Sequence, residues 1–193
     1  MINTAKKYDS YDKDFNALYK LVKERSFEFG DFTLSSGKKS NYYFDSKQVT
    51  LSPEGLYLIG RIIIDKIRDL NINAVGGLAI GADPITCGLG VVSYLEGMNN
   101  LNLFIVRKDP KKHGKFKLIE GPTLNVGDRV VIIDDVITTG GSVLDAIKAV
   151  KEIGCEVVKV ITLVDRKEGG TEIINAMGIE VDPIFDIANF INE

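Results

Sequence analysis

Along the chain, short runs of consecutive aliphatic and β-branched residues alternate with longer segments whose apolar residues recur every three or four positions. The short runs are Ile72 to Gly77, Leu101 to Val106, Val130 to Ile133 and Glu156 to Val164. They predict strands buried on both faces, the habit of a parallel sheet. A further short strand is predicted around Val181 to Phe185. The spacing of Phe15, Leu18, Tyr19 and Val22 predicts a helix over roughly Asp12 to Arg25. Ile59, Ile62, Ile63 and Ile67, behind Pro53 near the first turn, predict a second that reaches about Leu70. Ile85, Leu89, Val92 and Leu95 mark a third. Val143, Leu144, Ile147, Val150 and Ile153 mark a fourth, with Gly154 where a C-cap belongs, and Ile173, Ile174 and Met177 a fifth, ended by Gly178. Strands alternating with helices predict an α/β fold. The stretch Phe29 to Gly55 departs from this rhythm. Phe32 and Leu34 alternate with polar residues, Ser36-Gly37 marks a turn, and Tyr42-Tyr43-Phe44 reads as a second strand, so an antiparallel hairpin flap is expected.

Length and composition narrow the class. The chain has 193 residues, which suits one domain with a substantial core. Its 45% apolar and 26% charged residues are ordinary for a soluble globular protein. A net charge of −3 argues against a nucleic-acid surface spread over the whole molecule. No apolar run approaches a membrane span, and MINTAKKYDSYDKDFN lacks the apolar core of a signal peptide. Cys87 and Cys155 lie far apart in apolar patterns, without metal-ligand spacing, and are expected to be buried free thiols in a reducing cytoplasm.

The chemistry gathers around VVIIDDVITTGGS, Val130 to Ser142. A buried strand is followed by two carboxylates, Asp134 and Asp135, expected where the strand emerges at its C-terminal end. A hydroxyl- and glycine-rich segment then opens the fourth helix. Backbone N–H groups converge at such a helix N-terminus without internal partners, glycine lets a ligand approach closely, and the dipole favours an anion. Thr138, Thr139 and Ser142 add hydroxyls, so the loop can cradle a phosphate. The carboxylates are acceptors whose natural partners are sugar hydroxyls or a hydrated Mg²⁺. A phosphate cradle beside a diol acceptor describes a ribose-5-phosphate site.

Three other stations face the same rim. GGLAIGADP, Gly76 to Pro84, is a second glycine-rich strand-to-helix junction and a second candidate anion loop; by itself it also reads as a tight turn. Both loops leave the C-terminal ends of strands, where ligands bind in open α/β sheets. RKDPKKHGKFK, Arg107 to Lys117, has Lys or Arg at six of eleven positions and the chain's one histidine, His113. A solvated loop is the ordinary fate of such a run. Its compactness, in an otherwise acidic chain, fits a mobile cationic loop that closes on a polyanion, neutralises departing charge and excludes water. Arg166 follows the strand ending at Val164 and could pair with a nearby acid or grip a planar anionic substrate with its guanidinium fork.

The Val130–Ser142 stretch resembles the phosphoribosyl pyrophosphate (PRPP) motif of type I phosphoribosyltransferases, and Phe29 to Phe185 as a whole resembles the orotate phosphoribosyltransferase family. Arg107, Lys108, Lys111 and His113 match its R-K-x-x-K-x-H-G loop, and LSSGKKSNYYFDSKQVTLSPEG resembles the base-binding flap of one subgroup. The resemblance implies a type I phosphoribosyltransferase-like fold, a central mostly parallel sheet flanked by helices, as a single domain over residues 1–193 with a small N-terminal hood or flap from about residues 1–50. It implies that Asp134, Asp135, Val136, Ile137, Thr138, Thr139, Gly140, Gly141 and Ser142 bind PRPP together with Arg107, Lys108, Lys111 and His113. Thr138, Arg166, Tyr43 and Phe44 would then meet orotate, with Lys111, His113, Arg107 and Asp135 catalytic. Mg²⁺ is the implied cofactor, held mainly by PRPP and water with Asp134 as a possible ligand. The basic loop of this family reaches into the neighbouring subunit's site, which implies a cytoplasmic homodimer with shared active sites and neither a nucleic-acid nor a membrane partner.

Two positions depart from the family pattern. Many members carry Lys at the variable position of F-T-L-x-S-G, where this chain has Ser35; Lys38, Lys39 and Lys47 are the candidates to replace it, Lys47 the favoured one. Pro110 restricts the opening of the basic loop. No fused decarboxylase domain is expected. A purine- or uracil-specific relative would share the Asp134 loop but lack the basic loop and Arg166. A PRPP-sensing nucleic-acid regulator would need a basic face beyond that loop.

Overall fold

The computed structural model describes residues 4–33, 39–109 and 118–191. Helix α1 (Thr4–Arg25) leads into the hairpin β1 (Phe27–Thr33) and β2 (Lys39–Phe44), then the short α2 (Lys47–Thr50) and α3 (Pro53–Ile67). Then follow β3 (Ala74–Leu78), α4 (Ala82–Leu95), β4 (Asn102–Val106), β5 (Ile119–Glu120), β6 (Arg129–Ile137) and α5 (Gly141–Ile153). The chain continues through β7 (Glu156–Asp165), α6 (Gly170–Ala176), β8 (Glu180–Asp186) and α7 (Ala188–Ile191).

The alternating side chains of the central strands build two cores, one on each face of the sheet. Val75, Val131, Ile133, Ile161 and Leu163 point to the face covered by α1, α3 and α4, where Leu18, Val22, Ile59, Ile63 and Leu89 meet them. Ala74, Phe104, Val130, Ile132 and Val160 point to the face covered by α5 and α6, against Val143, Ile147, Val150 and Ile174. This double burial explains the unbroken apolar runs, and each fully buried Ile or Val contributes about 1.5–3 kcal/mol of transfer free energy. Ser52 caps α3 by accepting from Gly55 N at 3.1 Å, with Pro53 in the first turn.

The sheet runs β5-β4-β3-β6-β7-β8, parallel except for β5, which pairs antiparallel with β4. From β3 the chain crosses to β4 on one side, whereas from β6 it crosses to β7 on the other. The loops leaving β3 and β6 therefore diverge, and the crevice between them is the topological switch point of the sheet.

The expected hairpin is present, with Phe27 opposite Phe44 and Phe29 opposite Tyr42. Its strand β1 begins before Phe29, and the turn at Ser36-Gly37, with Leu34, Ser35 and Lys38, lies outside the described residues. Helix α1 starts eight residues before the expected Asp12, and α3 stops at Ile67 rather than near Leu70. The main correction concerns β6. It does not end at Ile133 but continues to Ile137, so Asp134 and Asp135 are strand residues paired against β7. Among the described residues no helix is long and apolar enough to cross a membrane.

Candidate active site

Because β6 runs on past its acids, Asp134 and Asp135 are buried, at 5% and 9% exposure, on a rigid strand rather than a loop. Their carboxylates are fixed locally: Asp134 Oδ1 accepts from Asp135 N at 3.0 Å, and Asp135 Oδ1 from Val136 N at 3.0 Å. Asp135 Oδ2 also accepts from Ser46 Oγ at 2.6 Å, and Lys47 Nζ stands 3.5 Å from the same oxygen. Burial first, and then the neighbouring Asp135 charge, push Asp134 up to about 8. At neutral pH Asp134 therefore holds its proton and can donate as well as accept, a versatile partner for a sugar diol.

The β3–α4 loop closes on this pair. A Cβ built on Gly81 would stand 2.5 Å from Asp135 Oδ1 and 2.9 Å from Asp134 Oδ1, so only glycine lets the loop approach this closely. The Ala79–Ile80 peptide within the loop is cis, and Ile80 is exposed. Behind the acids, Gly140 adopts φ +84° at the N-cap of α5, and the first helical bond runs from Leu144 N to Gly140 O at 2.9 Å. The N–H groups of Gly141, Ser142 and Val143 are thus left without partners within the helix. Thr139, Gly141 and Ser142 are exposed, and nothing stands within 4 Å of a Cβ built on Gly141, so the turn is open to an anion.

Arg166 sits directly beyond β7, its N–H bonded to Ile137 O at 2.9 Å. Gly170 N donates to Thr138 O at 3.0 Å, and a Cβ on Gly170 would stand 2.6 Å from both Gly140 N and Thr138 O. The arginine turn and the phosphate turn are therefore stitched together backbone to backbone. Asp165, fully buried, accepts from Lys167 N and Thr171 Oγ1, both at 2.7 Å, which holds the arginine turn in shape. The Arg166 Nε lies 3.1 Å from Glu168 Oε1, and its guanidinium lies 5.8 Å from the Tyr42 ring.

The hairpin aromatics divide by face. Phe44 packs on Phe27 at 4.9 Å beside the main core, and Tyr43 points the other way, half exposed against Phe32 at 5.8 Å. Side chains alternate along β2, so Tyr42 and Phe44 share the core-facing side and Tyr43 takes the other; of the three rings, Tyr42 is the one that lies beside Arg166. Arg107 and Lys108 line one groove with Ala79, Ile80 and Asp83, and another with Leu78, Asp145 and Lys148. Arg107 pairs there with Glu120 at 3.5 Å. Lys111, His113 and Pro110 lie outside the described residues. Of the residues beside the acids, Ser46 and Tyr42 carry no motif that would single them out; only their position against Asp135 and Arg166 reveals them.

Among the described residues no three His, Cys, Asp or Glu side chains come together as a metal cage. Two adjacent acids, one already bonded to Ser46, fit a hydrated ion carried in by a diphosphate rather than one held permanently.

A switch-point crevice with an open anion turn on one strand and a buried acid pair beside it fits the type I phosphoribosyltransferase class, and the comparisons with known proteins agree. The family model described as phosphoribosyl transferase domain matches residues 46–190. The chain belongs to the orotate phosphoribosyltransferase family: it is 46% identical to the orotate phosphoribosyltransferase of Aquifex aeolicus, over 90% of this chain and 96% of that protein. Among solved structures, the Mycobacterium tuberculosis orotate phosphoribosyltransferase in complex with Fe(III) dicitrate superposes with a TM-score of 0.81 at 38% identity, covering 92% of this chain and 98% of that one. The same enzyme in complex with PRPP superposes with a TM-score of 0.74 at 31% identity, covering 92% of each chain.

Proposed function

We propose that this protein transfers the 5-phosphoribosyl group of PRPP to orotate, giving orotidine 5′-monophosphate and pyrophosphate in pyrimidine biosynthesis. The observation that carries the reading is the stitched pair of turns, which brings the anion cradle that follows the acid pair on β6 next to the turn that carries Arg166. The N–H groups and hydroxyls of the turn from Thr138 to Ser142, exposed at Thr139, Gly141 and Ser142, hold the 5′-phosphate, with Val136 and Ile137 shaping the strand end. Asp134 and Asp135 hold the ribose hydroxyls. Arg166 and Thr138 meet orotate, the arginine through two parallel hydrogen bonds to its carboxylate. Tyr42 supplies the aromatic wall.

In the reaction the bond from the anomeric carbon to the pyrophosphate oxygen breaks as the bond from the orotate ring nitrogen forms, through an oxocarbenium-like transition state. Charge grows on the leaving group, so catalysis rests on cations that bind it better then than before. Arg107, Lys108, Lys111 and His113 are assigned that role, with Lys111 and His113 as the proton donors to pyrophosphate. Asp135 lies under the cationic sugar. Were Mg²⁺ bound with PRPP, it would supply charge neutralisation on the diphosphate, and Asp134 would meet it only after giving up its proton. The whole chain works as one unit, since α1 shares the core of the sheet with α3 and α4.

The basic loop is read as serving the neighbouring subunit's site. A second copy finds a ready surface on α4, where Val91, Tyr94 and Leu95 are 65%, 72% and 71% exposed, with Tyr57 of α3 alongside. Cytoplasmic residence fits the free Cys87 and Cys155; Cys155 is buried as expected, whereas Cys87 is exposed on α4 rather than in the core. The test offers the purified protein PRPP and Mg²⁺ with orotate, uracil, hypoxanthine or xanthine separately, and follows the nucleotide product. Product with orotate alone is expected; turnover of a purine or of uracil in its place contradicts the assignment.

A further inference from the structure

The first residues of the matched family domain make a contact that the mechanism above does not use. Ser46 is buried at 4% exposure, and its hydroxyl reaches across 89 positions of sequence to Asp135 Oδ2. Lys47 brings its ammonium to 3.5 Å from that oxygen while its side chain remains half exposed towards solvent. The short helix carrying both is itself held in place. Asp45 accepts from Lys47 N and from Gln48 Nε2, each at 3.0 Å, and Val49 and Thr50 are buried at 0% and 1% exposure. Lys47 is thus not a loose surface lysine that happens to approach an acid: its backbone is fixed on one side and its charge meets a buried carboxylate on the other.

The need for such a contact follows from the acid pair. Two carboxyl groups crowded on successive residues of a buried strand can each turn about their own side-chain bonds, and the charged one needs a partner to fix its orientation. Asp135 has one oxygen committed to Val136 N, and its second is the one Ser46 and Lys47 hold. We propose that Lys47, backed by Ser46, is a positioning residue of phosphoribosyl transfer: it fixes the Asp135 carboxylate beneath the sugar and joins the N-terminal hood to the acid pair. A point charge on a flexible stem suits this role, because it follows the carboxylate as the sugar becomes cationic. Lys39 does not duplicate it; its ammonium bonds Thr33 Oγ1 within the exposed hairpin at 2.9 Å.

This inference rests on the PRPP-dependent reading of the site, and the experiment separates the two. Wild-type protein is first assayed with orotate, which judges the reading alone. Lys47→Met, Lys47→Arg and Ser46→Ala are then compared by steady-state kinetics in both substrates, by calorimetric titration with PRPP and Mg²⁺, and by thermal melts. Lys47→Met should lower kcat/KM for PRPP about thirty- to a hundredfold, as misplacement of a reacting geometry does. The KM for orotate should stay within about threefold, Lys47→Arg should recover most of the loss, and Ser46→Ala should lose about three- to tenfold with the same split. Wild-type turnover combined with a Lys47→Met loss below about twofold overturns the proposal. Equal losses towards both substrates without rescue by arginine also overturn it, because they assign Lys47 to the fold. Ser46→Ala removes one buried oxygen and keeps the helix anchors, so unchanged constants in that variant count against the pair even where Lys47→Met unfolds.

Discussion

Asp134 and Asp135 are neighbours in sequence and opposites in circumstance. Asp135 has Ser46 and Lys47 on its outer oxygen, whereas Asp134 is buried against a like charge and is pushed up to about 8. An acid whose folded pKa exceeds its unfolded value near 3.8 binds a proton more tightly in the folded state. The contribution of Asp134 to stability is therefore greatest below pH 4 and falls as pH rises towards 8, with a limiting slope of about 1.4 kcal/mol per pH unit for one proton. Urea unfolding without ligand at pH 5, 6, 7 and 8 should show Asp134→Asn gaining on wild type across that window. A parallel pH dependence in the two proteins would contradict the burial argument. Much of this site was legible in the sequence, because paired acids, a hydroxyl–glycine turn and a basic cluster are each visible as residue types. What escaped was contact: nothing local marks Ser46 as the partner of an acid 89 positions away, or separates Tyr42 from Tyr43. Strand register decides both.

At the level of elements, the parallel strands and their helices were readable because burial on both faces leaves an uninterrupted apolar run. The two-residue β5 is too short to carry a pattern. The end of β6 is not legible in the sequence: a buried strand is expected to stop at its first charge, whereas here the strand carries both acids inside it and runs on to Ile137. That continuation is what lets the turn after β6 and the turn after β7 lie side by side. Gly170→Ala tests their union, since its Cβ would stand 2.6 Å from Gly140 N and Thr138 O and force α6 and Arg166 outwards. The variant should fold with a loss of about 1–3 kcal/mol. Its kcat/KM should drop about ten- to a hundredfold, with KM for orotate rising more than KM for PRPP. Unchanged kinetics would show that the two turns act independently.

For the whole molecule, the proposed sharing of sites between two copies has a numerical consequence. Lys111→Ala should lower turnover far more than PRPP affinity, and Arg166→Ala should abolish orotate use from the opposite end of the site. If one subunit's basic loop serves its neighbour, unfolding and refolding these two variants together yields mixed dimers with one intact site, and about a quarter of wild-type activity should return. No recovery above the separate variants would place the loop in its own subunit's site. Beneath all of these stands the claim that the turn behind the acid pair grips a ribose phosphate. A crystal structure with Mg²⁺ and PRPP tests it most directly. It should place the 5′-phosphate against the N–H groups of residues 139–142 and the ribose diol against Asp134 and Asp135; PRPP bound elsewhere, with that turn empty, would contradict the account.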